Sequence, residues 1–333
     1  MFSENGEKVS MHVYWFQDSK IGHLNQVQAL LDELTKENDL VITKIHCPER
    51  SVFNWLKSFL SNDSIQSQQD DITLLIGAGH STYPQILKTQ KALKQTSNLL
   101  SVAILKPSFN TSEFDLICAP EHDYSSTKTP NNVHLFKGSL ATTSLIEPTL
   151  NKGIIGLGGS SKHYDFDSEL VGKQIEYVLT THPHHHFHIY NSRRTPSSLN
   201  QAIKDLFQEF QNFTFIDMKS PKAKFFQEDL QTSELKFVTP DSSNLVFEAL
   251  SCKGKTYVMQ IERLVRSKTS GSTKIRNTIN ALVANRQVGT LTINTPTQGL
   301  KVHAMEHPVA GLEPLAELEK TAYVVQGLIN HKI

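Results

Sequence analysis

With 333 residues the chain is long for a single hydrophobic core and suits two domains of about 150 residues each. Its composition, 38% hydrophobic and 20% charged, is that of an ordinary globular protein, and Lys+Arg 33 balance Asp+Glu 33, so no global field favours nucleic acid or an anionic membrane. The three cysteines (Cys47, Cys118 and Cys252) are odd in number and far apart, which fits neither a disulfide framework nor a zinc-ligand spacing and suits a reducing compartment.

Residues 1–10 are polar, lack the apolar run of a signal peptide, and read as a disordered arm. No window approaches the roughly 18 apolar residues of a membrane span, so a cytoplasmic protein is expected. Peripheral contact with the inner face of a membrane stays open. The first half, residues 11–145, predicts strands at Met11–Phe16, Leu40–His46, Ile72–Ile76, Leu100–Leu105, Phe114–Cys118 and Val133–Phe136. Helical periods at Leu24–Leu34 and Tyr83–Leu93 lie between them. The polar tract Ser61–Asp71 reads as a surface loop.

Three loops of this half carry chemistry. Gln17-Asp18-Ser19-Lys20-Ile21-Gly22-His23, with Asn25 and Gln26 beyond, places an acid, a base, a glycine and an imidazole directly after a strand. His23, with Asp18 near, is a candidate general base for a substrate hydroxyl, or a simple cap in a surface turn. Gly77-Ala78-Gly79-His80-Ser81-Thr82 begins a dinucleotide fingerprint but lacks its third glycine, and Ser81 or Thr82 suits a helix cap. Ala119-Pro120-Glu121-His122-Asp123 gathers three ionisable groups at a strand end, where they would support or share the role of His23.

Gly138–Lys152 reads as the linker to a second α/β half, residues 150–310. Strands are predicted at Gly153–Leu157, Phe187–Asn191, Phe213–Asp217, Glu234–Val238 and Thr256–Ile261. Helices alternate with them at Phe166–Leu179, Pro196–Phe210, Ser242–Ser251 and Ser272–Ala284, and a last helix covers Glu313–Asn330 within residues 311–333. Such alternation means parallel sheets, whose ligands bind beyond the carboxyl ends of the strands.

Gly156-Leu157-Gly158-Gly159-Ser160-Ser161-Lys162 offers backbone amides, hydroxyls and a lysine for a phosphate or diphosphate. Ser192-Arg193-Arg194-Thr195-Pro196 puts paired arginines at a helix start, a stronger anion signal because fork and dipole cooperate. In Thr239-Pro240-Asp241-Ser242-Ser243-Asn244, Asp241 or Ser242 is a natural N-cap, and Glu248, one turn on, suits a ribose diol.

Several motifs fail on context. Gly254-Lys255-Thr256 precedes a strand where a phosphate-binding loop must follow one. The Tyr124/Lys128 spacing lies beside Pro130, unsuited to a helix presenting both. His182, His184, His185, His186 and His188 have no carboxylate or cysteine beside them in sequence, so no functional metal is expected there.

Taken together, the Asp18–Gln26 loop, Gly77-Ala78-Gly79, Ala119–Asp123, Gly158-Gly159-Ser160, Ser192–Pro196 and Thr239–Ser243 with Glu248-Ala249 resemble, in order, the mitochondrial-fission-protein-like family. Its bacterial members were once labelled nucleoside-diphosphate-sugar epimerases. Two departures are visible. Ile21 stands where the family usually has proline, and Lys219–Ser233 lacks its Asn-Pro-Tyr string. The resemblance implies a fold like that of GT-B glycosyltransferases: two Rossmann-like α/β domains with parallel sheets facing a cleft. The final helix would cross back to the first domain.

It also implies metal-independent transfer of sugar from a nucleoside-diphosphate donor to a hydroxyl acceptor, without a further cofactor. On that reading His23, Asp18 and Asp123 are catalytic, and Lys20, Gly22, Gln26, Gly79, Glu121 and His122 meet the acceptor. Gly158, Gly159, Ser160, Ser161, Arg193, Arg194, Thr195, Asp241, Ser242, Ser243 and Glu248 hold the donor. The rivals are a nucleotide-sugar epimerase or NADP-linked oxidoreductase, and a non-catalytic interaction protein on a transferase scaffold. No partner is expected among nucleic acids; acceptor and oligomeric state stay open.

Overall fold

The computed structural model describes residues 8–47, 72–93, 98–124, 128–161, 164–262, 270–294 and 300–332. The expected loop at Ser61–Asp71 and the Lys162 side chain lie outside these residues. The chain divides into two compact units, residues 1–142 with 316–333 and residues 143–315.

Unit 1 is built on six parallel strands, β1 Val9–Gln17, β2 Asn38–His46, β3 Ile72–Ala78, β4 Leu99–Ile104, β5 Leu116–Pro120 and β6 Val133–Phe136, in the order β2-β1-β3-β4-β5-β6. Because β1 begins at Val9, the expected disordered arm is too long at its inner end. Main-chain pairing with β2 extends to Val9, opposite Asn38.

The pleat sends alternate side chains of β1 to opposite faces. Met11, Val13 and Trp15 pack against Val27, Leu30, Leu31 and Leu34 of α1, Ile21–Leu34. Tyr14 and Phe16 face Tyr83, Ile86 and Leu87 of α2, Tyr83–Ala92. The terminal helix, labelled α8, Glu317–Asn330, belongs to this unit: Leu318, Ala322, Val325 and Ile329 join the α1 face at helical spacing. It begins four residues later than its sequence pattern suggests, and Glu317 accepts the Lys137 amide at 2.9 Å.

Unit 2 has β7 Thr149–Gly156, β8 His186–Tyr190, β9 Phe213–Ile216, β10 Ser233–Val238, β11 Lys255–Val258, β12 Gly289–Asn294 and β13 Lys301–Glu306. The order is β13-β12-β11-β10-β7-β8-β9, parallel except for the β12–β13 pair. The helices are α3 Ser168–Thr181, α4 Ser197–Asp205, α5 Phe226–Thr232, α6 Ser243–Leu250 and α7 Ser270–Ala284. The expected linker is corrected at its end, since Thr149–Lys152 already belong to β7. The hairpin β12–β13 and helix α5 are additions to the expected elements. Among the described residues no helix is long and apolar enough to cross a membrane.

Helix α5 is tied to the sheet by a buried carboxylate. Asp229 receives Lys152 at 2.7 Å, His188 Nδ1 at 2.6 Å and the Tyr190 hydroxyl. Burial raises its pKa, but hydrogen bonds from His188, Lys152 and Tyr190 outweigh that and hold it well below the usual carboxylate range. His185 likewise meets Glu234 at 3.2 Å. The histidine tract therefore does have carboxylate neighbours, brought from more than 40 residues downstream by the fold. Among the described residues no set of three or more ligating groups fits a metal ion.

A group whose folded pKa is depressed contributes stability above its unfolded value and loses it as pH falls towards the folded one. Asp229→Ala should therefore destabilise unit 2 by about 2 kcal/mol at pH 7, since it leaves half-buried donors unpaired. The gap to the wild type should narrow below about pH 4, where the unfolded-state carboxyl binds its proton. Urea unfolding of both proteins at pH 7 and pH 3 checks this.

Candidate functional sites at the strand ends of each unit

In unit 1, β1 delivers Asp18 to its carboxyl end, and α1 starts at Ile21, which sets His23 on its first turn. Asp18 Oδ1 accepts the Lys20 amide at 3.0 Å, and Oδ2 meets His23 Nδ1 at 2.7 Å. An ionised carboxylate only accepts, so Nδ1 is the donor, and in the neutral ring Nε2 keeps its lone pair, the arrangement a general base needs. Asp18 is buried and His23 is 19% exposed by its side chain.

Gly79 closes against this pair. A Cβ there would lie 2.5 Å from His23 Nδ1 and 2.6 Å from Asp18 Oδ2, and its φ of +92° disfavours any side chain. Tyr83 holds the glycine in place: its buried hydroxyl accepts the Gly79 amide at 3.1 Å and donates to Ile104 O at 2.8 Å. The sequence reading misses Tyr83, whose regular helical place reads as core.

Other expected residues of this unit have contacts of their own. His23 Nδ1 is held by Asp18 rather than by Asp123. Glu121, His122 and Asp123 form a 3-10 turn after β5, and Lys106 Nζ donates to Asp123 O at 2.8 Å. Gln26 is turned inward: its amide donates to Gly22 O at 3.1 Å and accepts from Leu140 N at 3.2 Å, so it does not present itself to an acceptor. Lys20 is exposed. Thr82 caps nothing with its side chain, and its hydroxyl donates to Gly79 O at 2.8 Å instead.

In unit 2 the loops after β7, β8 and β10 interlock. The Gly158 amide donates to Thr239 Oγ1 at 2.7 Å and the Gly159 amide to Asp241 Oδ2 at 2.9 Å. These are the amides expected to be open to phosphate, and the protein's own oxygens use them. Thr195 is buried and its hydroxyl donates to Gly158 O at 2.5 Å, so it joins two loops and is withdrawn from any ligand. Arg194 is likewise braced, against Asp241 Oδ2 at 2.8 Å and Gly159 O at 3.0 Å. The two glycines are needed for this packing: a Cβ at 158 would lie 2.1 Å from the Asp241 carboxylate, and one at 159 would lie 1.8 Å from Arg194 O.

What stays available is specific. Arg193 is exposed and makes no side-chain hydrogen bond or ion pair among the described residues, and Ser160 is exposed beside it in the loop set. Ser161 is occupied with Tyr164, its amide donating to Tyr164 O at 3.0 Å. Helix α6 opens at Ser242, which makes no side-chain cap, and Asp241 turns away to Gly159. The first-turn amides around Ser243 are therefore uncapped by either expected side chain, and carry the positive end of the helix dipole. One turn on, burial pushes the Glu248 carboxyl up to about 7, against a lowering contact from Gln227 at 3.4 Å. A cavity of about 340 Å³ lined by Lys253, Lys255 and residues 308–314 lies by the amino ends of β7 and β11, away from these loops.

The profile of the family Mitochondrial fission ELM1 matches residues 21–326, and the chain belongs to this family. No curated protein matches the sequence. Among solved structures, the chain is similar to the UDP-GlcNAc 2-epimerase of Methanocaldococcus jannaschii (10% identity, 96% of this chain and 100% of that one, TM-score 0.45). It is also similar to MurG of Acinetobacter baumannii (12% identity, 82% and 84%, TM-score 0.42). A third is the S. aureus MnaA–UDP complex (12% identity, 84% and 89%, TM-score 0.43).

Gly79→Ala should disrupt the dyad and cost about 2 kcal/mol, from the positive φ and the lost approach to His23. Nitrogen-15 NMR of the imidazole should show His23 protonated at Nδ1 in the wild type and exchanging between tautomers in the variant. An unchanged His23 signature in the variant contradicts the geometry.

Proposed function

We propose that the protein binds a nucleoside-diphosphate sugar through unit 2 and transfers the sugar to a hydroxyl acceptor, with His23 of unit 1 taking the acceptor proton. The observation that carries the reading is the gathering of Arg193, Arg194 and the uncapped start of α6 at the carboxyl ends of β7, β8 and β10, with Glu248 one turn further along. Two guanidinium groups and a helix N-terminus match a diphosphate in charge and geometry. They act most strongly on the charge that builds on the leaving diphosphate as the glycosidic bond breaks. Ser160, Ser242 and Ser243 supply hydroxyls to the same oxygens. A carboxylate a helical turn away suits the two hydroxyls of a ribose. No metal is required in this scheme, because the arginines and the dipole supply the positive charge.

The His23–Asp18 dyad fits the other half of the reaction. The sugar carbon is attacked by the acceptor oxygen as its proton passes to His23 Nε2, and Asp18 stabilises the imidazolium that results. The donor's C–O bond breaks and the nucleoside diphosphate leaves with the bond's electron pair. The loop after β7 lacks the third glycine of a dinucleotide fingerprint, which favours this reading over an NADP-linked oxidoreductase.

Calorimetric titration with UDP, GDP and ADP tests the donor half. One of them should bind, and Arg193→Ala should weaken it about tenfold, as loss of a charge-assisted contact does. Absence of binding for every compound in the panel defeats the reading. Glu248 must be ionised to accept both ribose hydroxyls, so the ratio of wild-type to Glu248→Gln nucleotide affinity should rise with pH through about 7, the titration of the nucleotide itself cancelling in the ratio. His23→Asn should leave binding intact and abolish sugar transfer or donor hydrolysis, followed by release of the nucleoside diphosphate.

A further inference from the structure

The anion seat of unit 2 already contains an anion. Asp241 has a fully buried side chain whose Oδ2 takes the Gly159 amide at 2.9 Å and Arg194 Nη2 at 2.8 Å. Those are a backbone N–H and a guanidinium, the two donor types a phosphate oxygen uses. Its other oxygen, Oδ1, is buried without a hydrogen bond of normal geometry among the described residues, although the Thr239 hydroxyl lies near enough to the carboxyl to favour its ionised form. A buried carboxylate oxygen with no donor is costly, and proteins seldom keep one without a use.

We infer that Asp241 is an internal stand-in for the ligand's phosphate: it competes with an incoming diphosphate for Arg194 and the Gly159 amide, and it is neutralised by a proton when the diphosphate binds. The inference rests on the anion-binding reading of these loops and extends it, because it makes Asp241 the residue that sets how strongly the seat discriminates against anions. Two negative groups a few ångströms apart in a partly desolvated site repel by several kcal/mol at an effective dielectric constant of about 20. The buried carboxylate, held by Gly159 and Arg194, is the one that gives up its charge.

Among the described residues, the ionisable groups acting on Asp241 are Arg194, from the loop after β8, and Tyr164, whose ring carries Arg276 at 4.2 Å, from the segment after β7. Arg276 is itself paired with Glu262 at 2.8 Å. From α6 come the dipole and no ionisable side chain in its first turn. Burial already pushes the Asp241 carboxyl above its usual range, outweighing the Gly159 amide, Thr239 and Arg194. An anion placed beside it raises that value further, so the Asp241 step takes up a proton and, taken by itself, favours anion binding as pH falls.

Inorganic pyrophosphate is the probe, because it carries the charge without a base or ribose. Asp241→Asn, an isosteric change, should bind pyrophosphate about tenfold more tightly than the wild type at pH 8, as expected for removal of one nearby like charge. The advantage should shrink at pH 5.5; titration of pyrophosphate itself cancels in the ratio. Equal or weaker binding by the variant at pH 8 overturns the inference and leaves Asp241 a brace for Arg194. If the variant does not fold, calorimetry of the wild type at pH 7 with sulfate, an anion that does not titrate near neutrality, in two buffers of different ionisation enthalpy decides. Proton uptake on binding supports the inference, and its absence overturns it. Pyrophosphate binding with no nucleoside diphosphate binding defeats the donor reading alone, whereas failure of both ligands defeats the two together.

Discussion

Parallel strand pairing is the constraint on which the rest of the structure depends. Strands that run the same way must be joined by crossovers, and those crossovers cover both faces of a sheet with helices. The cost of order is offset by apolar burial: β3 has no exposed residue, and a fully buried aliphatic side chain contributes about 1.5–3 kcal/mol. Polar chemistry is thereby driven off the faces and onto the strand ends. In unit 1 this puts Asp18, Gly79 and Glu121 at the carboxyl ends of β1, β3 and β5. In unit 2 it does the same for Gly158, Arg193 and Asp241 after β7, β8 and β10.

At those ends the backbone is satisfied first and the ligand second. Leaving a buried amide unpaired costs about 1–3 kcal/mol, so Gly158 and Gly159 donate to Thr239 and Asp241 instead of remaining open. Arg194 is held in the same way, by a carboxylate and two carbonyls, which fixes a long side chain that solvent would otherwise leave mobile. The dyad of unit 1 follows the same logic with one difference. Asp18 spends its two oxygens on Lys20 N and His23 Nδ1, and the other imidazole nitrogen is left for chemistry. The two places thus differ in kind: one is an imidazole held through one nitrogen by a buried carboxylate, the other an arginine held by a buried counter-charge.

Legibility varied with how local the physical signal was. The strands β1, β3, β4 and β6 read from their β-branched and apolar runs, and α1 and α3 from their helical spacing, because those signals are periodic and short in range. The hairpin β12–β13 is exposed on many of its positions, and its strands carry Thr292, His303 and Glu306, so no apolar run marks it. Helix α5 is only seven residues long, below what periodicity resolves. Among site residues, His23 and Asp18 stood five apart in one loop and were legible as a pair. Asp241 was legible as a capping type, but its actual partners, Gly159 and Arg194, lie 82 and 47 positions away, and its side chain goes to them rather than to α6.

By itself the sequence determined the α/β class and the two halves. It also placed the chemically loaded loops after strands and fixed which residue types could handle protons or anions. These follow from periodicity and local chemistry, which the chain carries in its order. Only the tertiary structure decided which of those groups are spent. It turned Gln26 and Thr195 inward, set Asp18 against His23, gave the histidine tract its carboxylates, and placed Asp241 against Arg194 and the Gly159 amide. The reason is that hydrogen-bond satisfaction is a property of space: a donor takes the acceptor that folding brings within 3 Å, however far along the chain that acceptor lies.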